Sequence, residues 1–135
     1  MSKRSNSRKL AMRVIYQYSI RNNAIKDIFS DLETESYGDE TIKWAEHLTN
    51  LVETNIKDVD GIIHEYSIDW DLDRINEVDK ALLRIGISEI KYTDTPYQVV
   101  VNEIIELSKL YSTEDSSKFI NGILGKFVND TCLQD

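Results

Sequence analysis

Five cations, Lys3, Arg4, Arg8, Lys9 and Arg13, fall within the first 13 residues with no acid among them. Such a cluster suits phosphate oxygens, which lysine meets as a point charge and arginine as a planar fork of donors. On a helix, Lys9, Met12, Arg13 and Tyr16 stand at i, i+3, i+4 and i+7 and form one stripe. Cations interleaved with a thioether and a phenol make a contact surface for RNA or protein, the ring giving area or stacking and the charges giving attachment. The alternative is that Met12 and Tyr16 pack under a neighbouring loop and the cations form a solvated tail.

The rest of the chain opposes this start in sign. Of a formal net charge of −8, residues 1–13 hold +5, leaving −13 for the other 122 residues. Where a polyanion docks depends on that segregation more than on the total.

Catalytic chemistry is poorly supplied. His47 and His64 lie 17 residues apart with no second ligand at metal spacing, so neither a metal nor a cofactor is expected. The single cysteine, Cys132, excludes an internal disulfide. No nucleophile elbow, Walker loop or dinucleotide glycine pattern occurs, and nothing picks a general acid and base out of the many carboxylates. Gly122-Ile123-Leu124-Gly125 matches a backbone-clamping RNA loop, but Phe119, Ile120 and Phe127 continue a helical spacing through it. Gly122 is therefore expected to admit a neighbouring helix.

The elements that must position these residues are all helical. No apolar run approaches the roughly 20 residues of a membrane span, and no signal-type stretch follows the basic start. The chain is expected to be cytoplasmic, with no membrane partner. Asn6 or Ser7 is expected to cap a first helix running to about Ile20, leaving residues 1–7 as a basic flexible arm, and residues 21–24 end that helix. A weaker segment holds Ile25, Ile28, Phe29 and Leu32 and leads to a polar loop at Ser36 to Asp39. From Glu40 to Tyr66, Trp44, Leu48, Leu51, Val52, Ile56, Val59, Ile62, Ile63 and Tyr66 predict one long amphipathic helix. A connector, 68–75, precedes Asn76, a cap for a helix to about Tyr92. That helix is apolar over more than half its circumference, leaving Lys80, Arg84, Ser88 and Lys91 as a polar strip, so it is predicted to be the centre of a bundle. Asp79 and Glu89 interrupt its apolar arc. Glu89 is expected to pair with an arginine of the first helix, and Asp79 either favours the positive helix end or marks a contact surface. Pro96 starts a helix to about Tyr111, and Asp115 or Ser116 caps a last one. The fold class is all-α, a single domain of about six or seven helices.

These residues resemble the bacterial transcription antitermination factors of the NusB family. The resemblance rests on Arg8-x-x-Ala11 with Tyr16, on Trp70-x-Leu72-x-Arg74, and on Asp79-Lys80-x-Leu82-Leu83-Arg84-Ile85 with Glu89. It continues through Pro96, Val101-Asn102-Glu103 and Glu106-Leu107-x-Lys109 to Ser116 and Phe119-Ile120-Asn121-Gly122-x-Leu124. In order and spacing these cover nearly the whole chain.

The resemblance implies two packed helical subdomains and a binding activity without catalysis. Family members pair with a small-subunit ribosomal protein, NusE, and the pair recognises a single-stranded boxA element in ribosomal RNA operon transcripts. Other Nus factors and RNA polymerase are reached indirectly. Carried over by position, Lys3, Arg4, Arg8 and Lys9 would contact the RNA backbone, and Tyr66 with Asp115, Lys118 and Phe119 would meet bases, Asp115 acting as a brake. Arg13, Tyr16 and Asp79 would meet the protein partner, and some family members form homodimers through that same face. Ser5, Asn6 and Ser7 dilute a stretch that other members fill with arginine, which shifts more of the RNA affinity to the partner. A similar domain precedes some ribosomal RNA methyltransferases, but this chain is too short to hold that enzyme. The competing reading is an acidic helical adaptor that binds no RNA.

Overall fold

A computed structural model of the chain describes residues 3–32, 36–67 and 74–131. In them seven helices follow one another: α1 (Lys3–Arg21), α2 (Ile25–Asp31), α3 (Asp39–Thr54), α4 (Ile56–Tyr66), α5 (Glu77–Tyr92), α6 (Tyr97–Tyr111) and α7 (Glu114–Thr131). No strand occurs among the described residues. Cys132 and most of the 68–75 connector, with Trp70 and Leu72, lie outside them.

Local chemistry sets the helix ends. Asn76 Oδ1 accepts from the Asp79 backbone N–H at 2.9 Å, which is the predicted cap of α5. Pro96 precedes α6 as expected. Asn22 ends α1 with φ 57°, a left-handed conformation that asparagine tolerates. Three expectations are corrected. α1 starts at Lys3, so residues 3–7 form its first turns instead of a flexible arm capped by Asn6 or Ser7. The long helix is two, parted at Asn55, whose backbone leaves helical geometry with φ −112° and ψ 23° while its side chain also donates to the Leu51 carbonyl at 2.9 Å. The cap of α7 is Thr113, whose Oγ1 accepts from the Ser116 N–H at 3.0 Å, in place of Asp115 or Ser116.

Helices α1, α2 and α3 pack together as one group and α4, α6 and α7 as another, with α5 between them touching α1, α3, α4, α6 and α7. Every residue of α5 from Asp79 to Ile90 is buried. Leu82, Leu83, Ile85 and Ile87 are fully so, each contributing about 1.5–3 kcal/mol of apolar burial. The predicted polar strip is covered too. Arg84 forms a two-point ion pair with Asp60 of α4 (2.8 and 2.9 Å) and Lys80 lies 3.3 Å from Glu77, so only Lys91 of the strip is exposed. Close approach occurs at Gly86, where a Cβ would stand 3.2 Å from Ile104 Cγ1, and not at Gly122, which faces open space.

Candidate nucleic-acid and partner interface

The first helix divides its cations by burial. Lys3, Arg4 and Arg13 are exposed and Lys9 is half-buried. Arg8 is only 2% exposed. Its Nε and Nη2 donate to the two carboxylate oxygens of Glu89 at 2.7 and 2.5 Å, and Nη1 lies 3.6 Å from Glu103. Glu89 thus pairs with a first-helix arginine as expected, and Arg8 is removed from the expected RNA contacts: its donors are spent inside the fold. Met12 is buried as well, so the stripe narrows to Lys9, Arg13 and Tyr16.

Around that stripe the structure gathers phenols that spacing along one helix could not reveal. Arg13 Nη1 donates to the Tyr37 hydroxyl at 3.2 Å, and Lys9 Nζ lies 5.6 Å from the Tyr111 ring centroid. The Tyr111 hydroxyl raises the Lys9 ammonium above the ordinary lysine value, so Lys9 stays charged. Tyr37 comes from the loop before α3 and Tyr111 from the end of α6. Their only sequence signal was the number of tyrosines. Tyrosine and arginine on one surface are the usual composition of a protein-binding patch. Further along α1, Ser19 hydrogen-bonds Glu77, which brings the Tyr16 end of the stripe to the start of α5.

A second site forms where α5 and α7 begin. Arg74, Ile75, Asn76, Asp79, Asp115 and Phe119 line a cleft of about 300 Å³. Asp115 and Lys118 are exposed on the first turns of α7, and Phe119 is half-buried. Asp79 forms part of the wall but is 4% exposed. Its oxygens already accept from Ser112 Oγ (2.7 Å) and Asn76 Nδ2 (3.1 Å), so it clasps the α6–α7 corner to α5 and is not a free contact for a partner. Tyr66 stands apart from this cleft, at the end of α4. Its hydroxyl donates to Asp130 at 2.8 Å and its ring meets Phe127 edge-on, 6.2 Å between centroids. That hydrogen bond to a carboxylate pushes the Tyr66 phenol above the usual tyrosine range. The expected base-reading residues therefore divide between two places, Asp115, Lys118 and Phe119 at one and Tyr66 at the other.

Among the described residues no group of histidine, cysteine and carboxylate side chains is placed to hold a metal ion, and no helix is long and apolar enough to cross a membrane. Exposed cations on α1 and a cleft where α5 and α7 begin define the class of a helical binding module.

A model of the NusB family matches residues 5–129, and the chain belongs to that family. It is 39% identical over 132 residues to the transcription antitermination protein NusB of Alkaliphilus oremlandii, with 96% of each chain covered. To that of Colwellia psychrerythraea it is 40% identical over 129 residues, covering 94% of this chain and 93% of the relative. Among solved structures, NusB of T. maritima superposes with a TM-score of 0.87 at 29% identity, over 94% of this chain and 91% of that one. A crystal structure of the antitermination factors NusB and NusE in complex with dsRNA superposes with a TM-score of 0.88 at 25% identity, over 96% and 98% of the two chains.

Proposed function

We propose that this chain is a transcription antitermination factor that works by binding. Together with a small-subunit ribosomal protein, NusE, it holds a boxA-type single-stranded element of ribosomal RNA operon transcripts in the cytoplasm. Other Nus factors link that complex to RNA polymerase. No bond is made or broken by the chain itself.

The observation that carries this reading is the sorting of charge on α1. Lys3, Arg4 and Lys9 keep their charges outside the core while Arg8 of the same helix is locked inside, on a body that is otherwise acidic. Phosphate oxygens attach to such a ledge and set register, without reading sequence. Base reading falls to Asp115, Lys118 and Phe119 at the α7 end of the cleft and to Tyr66, where an unpaired base can stack or be hydrogen-bonded at its edge. An exposed carboxylate at Asp115 repels the backbone and limits the affinity of the chain alone. The ribosomal protein supplies what is missing, meeting the Arg13, Tyr16 and Tyr37 patch. The NusB and NusE complex with RNA among the similar structures supports this assembly.

The test is a binding titration of a boxA-type RNA oligonucleotide with the chain alone, with the ribosomal protein alone and with both. The expected result is tighter binding by the pair than by either component. Binding no tighter for the pair, or no complex between the two proteins, would overturn the proposal in favour of an acidic adaptor.

A further inference from the structure

The starts of α1 and α3 are stapled side by side. Ser7 is fully buried, and its Oγ lies 2.9 Å from the Lys3 carbonyl and 2.8 Å from the Thr41 carbonyl, its proton going to one of the two at a time. This sets Lys3 and Arg4 of α1 against Glu40, Lys43 and Trp44 of α3, and these residues with Ser7 line a groove of about 430 Å³.

Two features of the groove point to an anionic, flat ligand. The Arg4 guanidinium lies over the Trp44 ring, 3.5 Å from its centroid, and Trp44 in turn neighbours His47 at 5.1 Å. A guanidinium backed by an indole is a fixed planar surface, and arginine planes, like aromatic rings, stack unpaired RNA bases. Beside this platform the Glu40 carboxylate sits 2.9 Å from Lys3 Nζ. Lys3 first, and Lys43 more weakly, hold its carboxyl below the usual range. An exposed carboxylate paired with one lysine and within the field of a second marks a spot that suits an anion. Both partners of this ion pair are highly exposed, so the pair is weak and an incoming anion can displace it.

We propose that this groove is an additional RNA seat, in which one phosphate displaces Glu40 from Lys3 and Lys43 while one unpaired base stacks on the Arg4 plane backed by Trp44. The inference rests on the function proposed above and extends the RNA path from α1 onto α3. Glu40 is then a built-in competitor for the ligand. Trp44, which the helical spacing had placed simply in the core pattern, is the support of the platform.

The experiment measures binding of a boxA-type RNA by the full chain with the ribosomal protein present. Glu40→Gln removes the competitor and is expected to tighten binding about two- to fivefold, in keeping with the small worth of an exposed ion pair. Lys43→Ala is expected to weaken it by a similar factor and to lower the salt slope by about 0.7, the value for one contact to a single strand. The chain has two tryptophans, so Trp70→Phe leaves Trp44 as the sole tryptophan, and its fluorescence, excited to the red of tyrosine absorption, is expected to change when RNA is added. Circular dichroism of each variant checks that the helices persist. If the unmodified chain binds RNA but neither Glu40→Gln nor Lys43→Ala alters affinity and Trp44 emission stays constant, the groove is overturned and the function stands. If the unmodified chain with its ribosomal partner fails to bind RNA, both fall.

Discussion

Arg8 on α1 and Glu89 on α5 are joined at two points inside the molecule, at 2.7 and 2.5 Å, with 2% and 0% of their side chains exposed. The pair ties the helix that carries the cations to the central helix of the bundle. Nearby, Ser5 Oγ donates to Glu103 of α6 at 2.7 Å, so three helices are held in register around one arginine.

Removing one partner strands the other charge in a dry environment. Arg8→Ala or Glu89→Ala is therefore expected to cost about 3–5 kcal/mol in urea unfolding. The double replacement Arg8→Met with Glu89→Leu fills similar space without charge and is expected to recover most of that loss. A small loss in either single variant would mean that the pair is hydrated in solution.

The glycines make opposite predictions. Gly86 meets Ile104 across a contact already tight for a single Cβ, so Gly86→Leu is expected to cost about 1–3 kcal/mol by overpacking. Gly122 faces open space within α7 and has no positive φ, so Gly122→Ala is expected to stabilise by about 0.5–1 kcal/mol through helix propensity. Thermal melts of the two variants should move in opposite directions.

At the α4–α5 contact, Asp58 accepts from Lys91 Nζ at 2.6 Å and from the Tyr92 hydroxyl. The Asp58 carboxyl is lowered by these two bonds, Lys91 first. Its contribution is present above the ordinary aspartate pKa and is lost as pH falls below about 4. Lys91 is raised by the same bond, so its share is complete below about 10.5 and fades as pH rises further. Tyr92 is raised by burial and then by Asp58. The unfolded chain releases that phenol proton first, which adds to the alkaline loss above about pH 10. Because the ion pair is part-exposed, each edge is shallow, on the order of 0.5 kcal/mol. Asp58→Asn should flatten the acid edge and weaken the alkaline one, as read from denaturation midpoints between pH 3 and pH 11.

Much of this architecture was legible from spacing, and the exceptions have physical causes. The wide apolar arc from Val78 to Ile90 marked α5 as the bundle centre because a helix wet on one side could not afford it. Asn55 was invisible because Leu51, Val52, Ile56 and Val59 keep helical intervals across it; the break lies in the backbone conformation of that one residue, which an apolar pattern does not record. Which glycine meets a neighbour depends on how α5 and α6 dock, and no single-helix pattern contains that. The fate of Arg8 could have been read, since it stands three and seven residues before Ala11 and Ile15, both fully buried. The Tyr37 and Tyr111 contacts join residues far apart in the chain, and their geometry exists only once the bundle has formed.

The central claim is that the outward cations of α1 hold RNA phosphates. Its most direct measurement is the salt dependence of boxA-type RNA binding, with the ribosomal protein present, by the unmodified chain and by a Lys3→Ala, Lys9→Ala variant. Affinity should fall linearly in logarithmic plots against salt, and the variant's slope should be shallower by about 1.4, for two single-strand phosphate contacts removed. Equal affinities and equal slopes in the two proteins would contradict the account.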